Sequence, residues 1–189
     1  MPEDAVEKAR GIRMLIMDVD GVLTDGRALY GSSSVEGVFF NVHDGTGIKY
    51  LQRCGVRTAI ITGRDIEAVR ERARVLGIEE VVQGAKVKLE AYEAVLARAG
   101  LGDGEVAYVG DDLPDIPVMR RAGLAVAVPN AATEVIEHAD LVTQRAGGEG
   151  AVREVAEFIL KAQGKWQHVL SRYIDQDPED PHGTKRADS

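Results

Sequence analysis

The fold of this chain is decided by one short stretch near its beginning, Met14-Leu15-Ile16-Met17-Asp18-Val19-Asp20-Gly21. The apolar half of this stretch, closed by a turn glycine, predicts a buried strand of a parallel sheet. Catalytic groups in open α/β sheets lie just past the carboxyl ends of such strands. Asp18 and Asp20 would repel each other there unless a cation or a proton intervened. The pair therefore predicts a metal site or two acids in different protonation states; an Asp-rich turn without function is the alternative.

Three later segments repeat this pattern, in which polar residues follow an apolar strand. Residues 57–61 are followed by a hydroxyl residue, a glycine and an arginine. Residues 81–82 are followed by lysines at the start of a helix, and residues 106–110 are followed by aspartates. These polar residues are Thr62, Gly63 and Arg64, then Lys86 and Lys88, then Asp111, Asp112 and Asp115. A parallel sheet would gather them at one edge. A carboxylate nucleophile, a hydroxyl donor, a lysine and metal-binding acids are the parts that phosphoryl transfer needs.

The strands alternate with helical patterns along the chain. Apolar periodicity predicts helices over 46–54, 66–76, 89–99, 118–122, 133–139 and 151–161. Gly55, Gly77 and Gly100 each follow one of these helices as a C-cap. The alternation predicts one α/β domain built on a doubly wound parallel sheet, and 189 residues suffice for a full core.

Charge and cysteine content narrow the classes of partner. The net charge of −8 leaves no basic stripe for nucleic acid, so an anionic substrate must be attracted by local positive charge or a bound cation. The lone Cys54 excludes an intramolecular disulfide and predicts a reducing, cytoplasmic location. No apolar run of transmembrane length and no signal-like beginning is present, so no membrane association is expected.

The polar residues at the strand ends resemble the motifs of the haloacid dehalogenase superfamily of aspartate-nucleophile phosphatases. The resemblance implies a Rossmann-like three-layer α/β/α fold over residues 12–164, with 1–11 as a lead-in and 165–189 as a flexible tail. The residues that match the superfamily motifs are Asp18 and Asp20, Thr62, Lys88, and Asp111 with Asp115.

The resemblance also implies catalytic roles. Asp18 would attack phosphorus, and Asp20 would act as general acid and then general base. Thr62 would donate a hydrogen bond to the transferring phosphoryl group. Lys88, which the family spacing selects over Lys86, would neutralise charge on that group and on Asp18.

Mg²⁺ is the cofactor that the resemblance implies. It would be held by Asp18, by the backbone carbonyl of Asp20 and by Asp111. Hard oxygen ligands and a phosphate substrate favour this ion. Asp112 or Asp115 would orient a metal-bound water or Lys88 from outside the ligand shell.

Two further segments, 40–48 and 145–155, resemble a capless subclass that acts on phosphorylated 2-keto sugar acids. The implied substrate is an octulosonate 8-phosphate of lipopolysaccharide precursor synthesis, and a nonulosonate 9-phosphate is the alternative. Such a substrate needs positive charge and close backbone approach beyond the phosphate site. The candidate residues are Gly63, Arg64, Arg72, Arg145, Gly147, Gly148 and His43, which stands where some relatives carry Arg. A solvated surface role for Arg72 and a plain linker role for the glycines remain open.

The intervals between the motifs are too short for a cap domain. A β-hairpin flap is expected at about 27–42, with strands at 27–30 and 38–42. An isolated hairpin is marginal in water, and capless relatives form tetramers in which the flap and C-terminal segment close a neighbouring site. The resemblance therefore implies a homotetramer, with a surface hairpin on a monomer as the alternative.

Three other classes share parts of this pattern. A signalling receiver domain combines acids, Thr and Lys, but accepts phosphate on an Asp of a later strand. A non-catalytic oligomerisation module would not need the full set of catalytic residues. A phosphomutase would normally need a cap to exclude water from the intermediate. The motif set therefore favours a phosphatase.

Overall fold

Residues 3–30 and 36–174 are described by the computed structural model of this chain. The strands are β1 (Met14–Met17), β2 (Leu29–Tyr30), β3 (Glu36–Gly37), β4 (Arg57–Ile61), β5 (Glu80–Val82), β6 (Val106–Gly110), β7 (Leu124–Ala127) and β8 (Leu141–Val142). All except β2 and β3 form one sheet in the order β5-β4-β1-β6-β7-β8, in which every pairing is parallel. The predicted doubly wound parallel sheet is confirmed.

Residues 3–30 and 36–174 contain eight α-helices; those within 42–162 lie close to the predicted positions, and the two at the ends were not predicted. They are α1 (Glu3–Arg10), α2 (Val42–Arg53), α3 (Glu67–Leu76), α4 (Lys88–Ala99), α5 (Ile116–Met119), α6 (Thr133–Glu137), α7 (Ala151–Ala162) and α8 (Trp166–Ile174). Gly77 and Gly100 end α3 and α4 in the left-handed conformation, as predicted. Within 3–30 and 36–174, no helix is both long and apolar enough to cross a membrane.

Helices cover both faces of the sheet because successive strand residues point to opposite sides and both sides are apolar. Leu15 and Met17 of β1 join the core formed with α1, α2, α3, α7 and α8. Met14 and Ile16 join the core formed with α4, α5 and α6. The three-layer α/β/α arrangement is therefore confirmed, and β1 is buried on both of its faces.

The hairpin is shorter than predicted. β2 and β3 pair antiparallel with Leu29 opposite Gly37, and the predicted strand at 38–42 is wrong. The reason is that α2 begins at Val42, where the side chain of Asn41 caps it by accepting a hydrogen bond of 2.8 Å from the backbone N–H of His43. The segment 31–35, which joins the two strands of the predicted flap, lies outside the described residues.

Both ends of the described chain carry helices where the sequence predicted a lead-in and a tail. α1 occupies the lead-in and packs against α7. α8 buries Val169, and the ring of Trp166 meets Tyr50 edge-on with the centroids 6.0 Å apart. Residues 166–174 of the predicted tail therefore form a helix that packs against the core, and 175–189 lies outside the described residues.

Asp44 joins the start of α2 to the start of α7. It is 1% exposed, and its Oδ1 accepts a hydrogen bond of 2.7 Å from the backbone N–H of Arg153. Burial disfavours the charged form and raises the pKa of Asp44 to about 6, although the backbone hydrogen bond opposes this shift. The folded chain therefore holds this proton more tightly than an unfolded one.

Asp44→Asn is expected to remove a pH-dependent part of the stability. Since folding raises the pKa of Asp44 from 3.8 to about 6, the folded state binds more protons between these values, and wild-type stability rises as the pH falls through them. From pH 7 to pH 5 the wild-type free energy of unfolding should gain about 1 kcal/mol relative to the variant. Urea unfolding of both proteins in EDTA measures the difference; a difference that does not change with pH contradicts the assignment.

Candidate active site

The predicted catalytic residues meet in one cleft at the carboxyl ends of the central strands. Asp18 follows β1, Thr62 follows β4, Asp111 follows β6, and Lys88 begins α4. Because β1 lies between β4 and β6, these side chains point into a common space of about 460 Å³. Further residues of the cleft wall are Asp20, Gly26, Gly63, Arg64, Ala85, Lys86, Asp112 and Pro114.

Lys88 is held between two carboxylates. Its Nζ lies 3.0 Å from Oδ1 of Asp18 and 2.6 Å from Oδ1 of Asp115. Burial by itself would lower the pKa of Lys88, but the two carboxylates outweigh it and raise the pKa. Lys86 lines the same cleft but is exposed. The structure thus pairs Lys88 with the predicted nucleophile, in line with the spacing that selected it.

Asp115 lies beneath the cleft surface, where it does not line the open space and instead contacts Lys88. It is fully buried, and Oδ1 accepts hydrogen bonds from Lys88 and from the hydroxyl of Tyr108, each at 2.6 Å. Oδ2 accepts from the backbone N–H groups of Asp111 and Asp112 at 3.1 and 3.2 Å. Both oxygens of Asp115 are therefore occupied by protein donors, which agrees with the predicted role of orienting Lys88.

A cluster of carboxylates fits a hard divalent cation. Oxygens of Asp18, Asp111 and Asp115 lie within 4.8 Å of one another. Burial raises the pKa of Asp18 to about 6. The pKa of Asp111 is raised to about 8, mainly by burial and to a smaller extent by repulsion from Asp18 and Asp115. Oδ1 of Asp111 is buried without a hydrogen-bond partner in the described part of the chain. Since Asp115 is already engaged, Asp18 and Asp111 remain to bind the ion, as predicted for Mg²⁺.

Thr62 and Arg64 also line the cleft. Thr62 is 1% exposed, and its Oγ1 accepts a hydrogen bond of 3.3 Å from the backbone N–H of Arg64, so the hydroxyl proton can point into the cleft. Nη1 of Arg64 donates to Oδ1 of Asp20 at 2.6 Å. The predicted substrate-binding arginine therefore contacts the predicted general acid.

Three predicted substrate-binding residues lie away from this cleft within the described chain. Arg72 donates to the backbone carbonyl of Asn41 at 3.0 Å, and its guanidinium lies over the ring of Phe40 at 5.7 Å. His43 is exposed in the first turn of α2, and Arg145 is exposed before α7. For Arg72 these contacts indicate a structural role at the base of the flap. A role in substrate binding stays a prediction for all three.

The predicted glycine motif packs against the loop that follows Asp20. A Cβ atom at Gly147 would lie 1.6 Å from the backbone carbonyl oxygen of Gly21, so only glycine fits. The backbone N–H of Gly148 donates to the carbonyl of Val22 at 2.9 Å. These glycines therefore hold the loop that follows Asp20 in place through close backbone contacts.

Asn130 is a functional candidate that sequence reasoning missed. Its Nδ2 donates to the carbonyl of Gly21 at 3.0 Å, and its Oδ1 accepts from the backbone N–H of Gly147 at 2.8 Å. The Asn130 side chain thus joins the loop that follows Asp20 to the glycine motif. The signal was present, because Asn130 follows β7 as the other polar residues follow their strands.

Comparisons with known proteins agree with this geometry. The model of the haloacid dehalogenase-like hydrolases matches residues 42–123. Together with the extensive identity to proteins of this group, the match shows that the chain belongs to the haloacid dehalogenase-like hydrolases. It is 48% identical over 171 residues to the 3-deoxy-D-manno-octulosonate 8-phosphate phosphatase KdsC of Escherichia coli strain K12, covering 90% of this chain and 91% of that relative.

Solved structures show the same similarity. A 3-deoxy-D-manno-octulosonate 8-phosphate phosphatase from Moraxella catarrhalis, in complex with a magnesium ion, a phosphate ion and a KDO molecule, is 40% identical with a TM-score of 0.89. The match covers 90% of this chain and 98% of that one. A probable phosphatase from Pseudomonas syringae pv. phaseolica is 49% identical with a TM-score of 0.89, covering 90% and 97%.

Gly147→Ala is expected to destabilise the fold because its Cβ would overlap the Gly21 carbonyl. The loop after Asp20 would have to move, at a cost of about 2–3 kcal/mol of the free energy of unfolding. Gly104→Ala is the matched control, since a Cβ at that position meets nothing within 4 Å. Urea unfolding measures both variants, and equal stability of the two would contradict the close approach.

Proposed function

We propose that this chain is a Mg²⁺-dependent phosphoric monoester hydrolase that converts 3-deoxy-D-manno-octulosonate 8-phosphate to 3-deoxy-D-manno-octulosonate and phosphate. The observation that carries the proposal is the buried Lys88, which lies 3.0 Å from Asp18 and 2.6 Å from Asp115 in the cleft that Thr62 also lines. The identity to KdsC over 90% of the chain supports the same reaction and substrate. The reaction belongs to lipopolysaccharide precursor synthesis.

Asp18 is the nucleophile of this proposal. One of its carboxylate oxygens forms a bond to phosphorus while the bond from phosphorus to the sugar oxygen breaks, which leaves an aspartyl-phosphate. Asp20 gives its proton to the departing sugar oxygen. A water molecule then attacks phosphorus and loses a proton to Asp20, and the bond to Asp18 breaks to release phosphate. Asp20 lies on the rim beside Arg64, within reach of a leaving group that enters from solvent.

Lys88 and Thr62 stabilise charge during both steps. Lys88 contacts Asp18 before the reaction, and its ammonium group can follow the negative charge onto the phosphoryl oxygens. The hydroxyl of Thr62 donates to the same group. Mg²⁺, when bound by Asp18, Asp111 and the carbonyl of Asp20, supplies further positive charge to the phosphoryl oxygens. Burial and then repulsion from Asp18 and Asp115 raise the pKa of Asp111 to about 8, and a bound cation would offset the repulsion.

Arg64 and Gly63 are the residues of the cleft wall that we assign to the sugar acid. A guanidinium group matches the carboxylate of the substrate, and it lies beside the predicted general acid. We retain His43, Arg72, Arg145 and Gly148 as further candidates, with Gly147 acting through the loop backbone. A nonulosonate 9-phosphate presents the same carboxylate and phosphate, so it belongs in the substrate test.

We further propose a cytoplasmic homotetramer in which the flap and C-terminal segment reach a neighbouring subunit. Leu29 of β2, Phe39 after β3 and Val42 at the start of α2 are 64%, 76% and 74% exposed, so the flap region carries a group of apolar side chains in contact with water. A second subunit would bury them and would support a hairpin of two-residue strands. The lone Cys54 supports a reducing compartment.

Asp18→Asn is expected to lower kcat by a factor on the order of a thousand or more, because an amide oxygen is a poor nucleophile. Phosphate release from 3-deoxy-D-manno-octulosonate 8-phosphate, a nonulosonate 9-phosphate and simple sugar phosphates is measured with Mg²⁺ and with EDTA. Turnover should need Mg²⁺ and favour the octulosonate. Asp4→Asn, an exposed change on α1, is the control. Turnover that persists in Asp18→Asn rejects the mechanism, and a preference for the nonulosonate rejects the substrate.

Phe39→Glu is expected to convert the tetramer into smaller species, because a charge replaces a side chain that we place in the subunit interface. Light scattering coupled to size exclusion measures the mass. Val75→Glu on α3 is the control, since Val75 is also exposed but lies outside the flap. A wild-type protein that is monomeric at micromolar concentration, or a tetrameric Phe39→Glu variant, disproves the assembly.

A further inference from the structure

Tyr108 is a buried phenol directly beneath the catalytic cleft. It lies in the middle of β6, where it is paired with Ile16 of β1 on one side and Ala125 of β7 on the other. Its side chain is completely buried, and its hydroxyl donates a hydrogen bond of 2.6 Å to Oδ1 of Asp115. A ring fixed in the central strand of a packed sheet holds its hydroxyl at a defined place.

Asp115, which accepts this hydrogen bond, has little freedom to move. A Cβ at Gly110 would lie 2.5 Å from the Cβ of Asp115, so the side chain is pressed against the backbone at the end of β6. Its Oδ2 accepts from two backbone N–H groups, and its Oδ1 accepts from Tyr108 and Lys88. Rotation of the carboxylate would break several of these bonds together.

Lys88 is shared unequally between Asp115 and the proposed nucleophile. It lies 2.6 Å from Asp115 and 3.0 Å from Asp18, so the two carboxylates compete for one ammonium group. A neutral donor on Oδ1 of Asp115 satisfies part of the hydrogen-bonding demand of that carboxylate and weakens its hold on Lys88. Burial and the nearby carboxylates raise the pKa of Tyr108 well above its usual value, so the phenol remains a donor.

We infer that Tyr108 is a positioning residue of the proposed phosphatase reaction, which donates to Asp115 and thereby keeps Lys88 available to Asp18. The inference rests on the proposed function. Tyr108 touches neither the substrate nor the reacting atoms, so its effect passes through Asp115 and Lys88. Loss of its hydroxyl moves Lys88 toward Asp115 and leaves the attack on phosphorus without part of its positive charge.

The test compares Tyr108→Phe with Tyr92→Phe. Tyr92 is also fully buried and donates to a carboxylate, Oδ1 of Asp103 at 3.1 Å, but it does so at the opposite end of β6. Both changes remove one hydroxyl and keep the ring. Turnover of the octulosonate phosphate and of p-nitrophenyl phosphate is measured with saturating Mg²⁺, together with thermal unfolding. Tyr108→Phe is expected to lower kcat by about tenfold relative to Tyr92→Phe, with KM unchanged within about twofold and similar unfolding temperatures.

A second measurement asks whether the effect passes through Asp115. In an Asp115→Asn background the competing charge is absent, so adding Tyr108→Phe should change kcat by less than about twofold.

Equal kcat values for Tyr108→Phe and Tyr92→Phe, a fall in kcat that follows lost stability, or a full tenfold loss in the Asp115→Asn background would each overturn the inference. If the wild-type protein hydrolyses p-nitrophenyl phosphate but not the sugar phosphate, the substrate proposal fails and the Tyr108 comparison still decides the inference. No turnover of either compound overturns both.

Discussion

The structure depends on one buried lysine that is shared by carboxylates. Lys88 neutralises part of the charge of Asp18 and Asp115, while Asp111 beside them has a buried oxygen that no donor among the described residues satisfies. A single ammonium group cannot compensate three acids. Burial first, and repulsion between the carboxylates second, raise the pKa values of Asp18 and Asp111. The site therefore holds its negative charge at the cost of stability, and a divalent cation and a phosphoryl group complete its balance of charge.

The two acids that could be confused in the sequence are separated by their hydrogen bonds. Asp115 is surrounded by protein donors on both oxygens, whereas Asp111 presents an oxygen that no donor in the described chain satisfies. The same chemical group thus serves as a support in one case and as a candidate metal ligand in the other. The difference comes from the short turn after β6, which aims two backbone N–H groups at Asp115.

Backbone contacts of two glycines and the side-chain amide of Asn130 hold the loop that follows Asp20. The loop after Asp20 is packed against Gly147 and Gly148, and Asn130 joins the two segments through both ends of its amide. Nδ2 of Asn41 donates to the carbonyl of Gly148 at 3.2 Å, and Asn41 also caps α2. Hydrogen bonds therefore connect the C-terminal glycine motif, the loop that follows Asp20 and the base of the flap.

The sequence by itself determined the fold class and predicted most of the side chains that meet in the candidate site. Apolar runs ending in Asp18, Thr62 and Asp111 predict parallel strands, and a parallel sheet places the ends of its strands at one edge whatever the details of packing. Lys88 was selected through the resemblance to a family, because its spacing alone left Lys86 open. These features are local or follow from the sheet topology, so they can be predicted from the sequence alone.

Only the tertiary structure decided which distant groups touch. The pairing of Arg64 with Asp20 and the contacts of Arg72 with the base of the flap join residues far apart in sequence. The hydrogen bond from Tyr108 to Asp115 spans only seven positions, but it depends on the turn after β6, and no periodicity in the sequence indicates it. The same holds for α8, which packs Trp166 and Val169 against the core, although the sequence analysis assigns residues 165–189 to a tail. The physical reason is that a side chain's role in a site depends on what lies within a few ångströms of it, and those neighbours are chosen by packing.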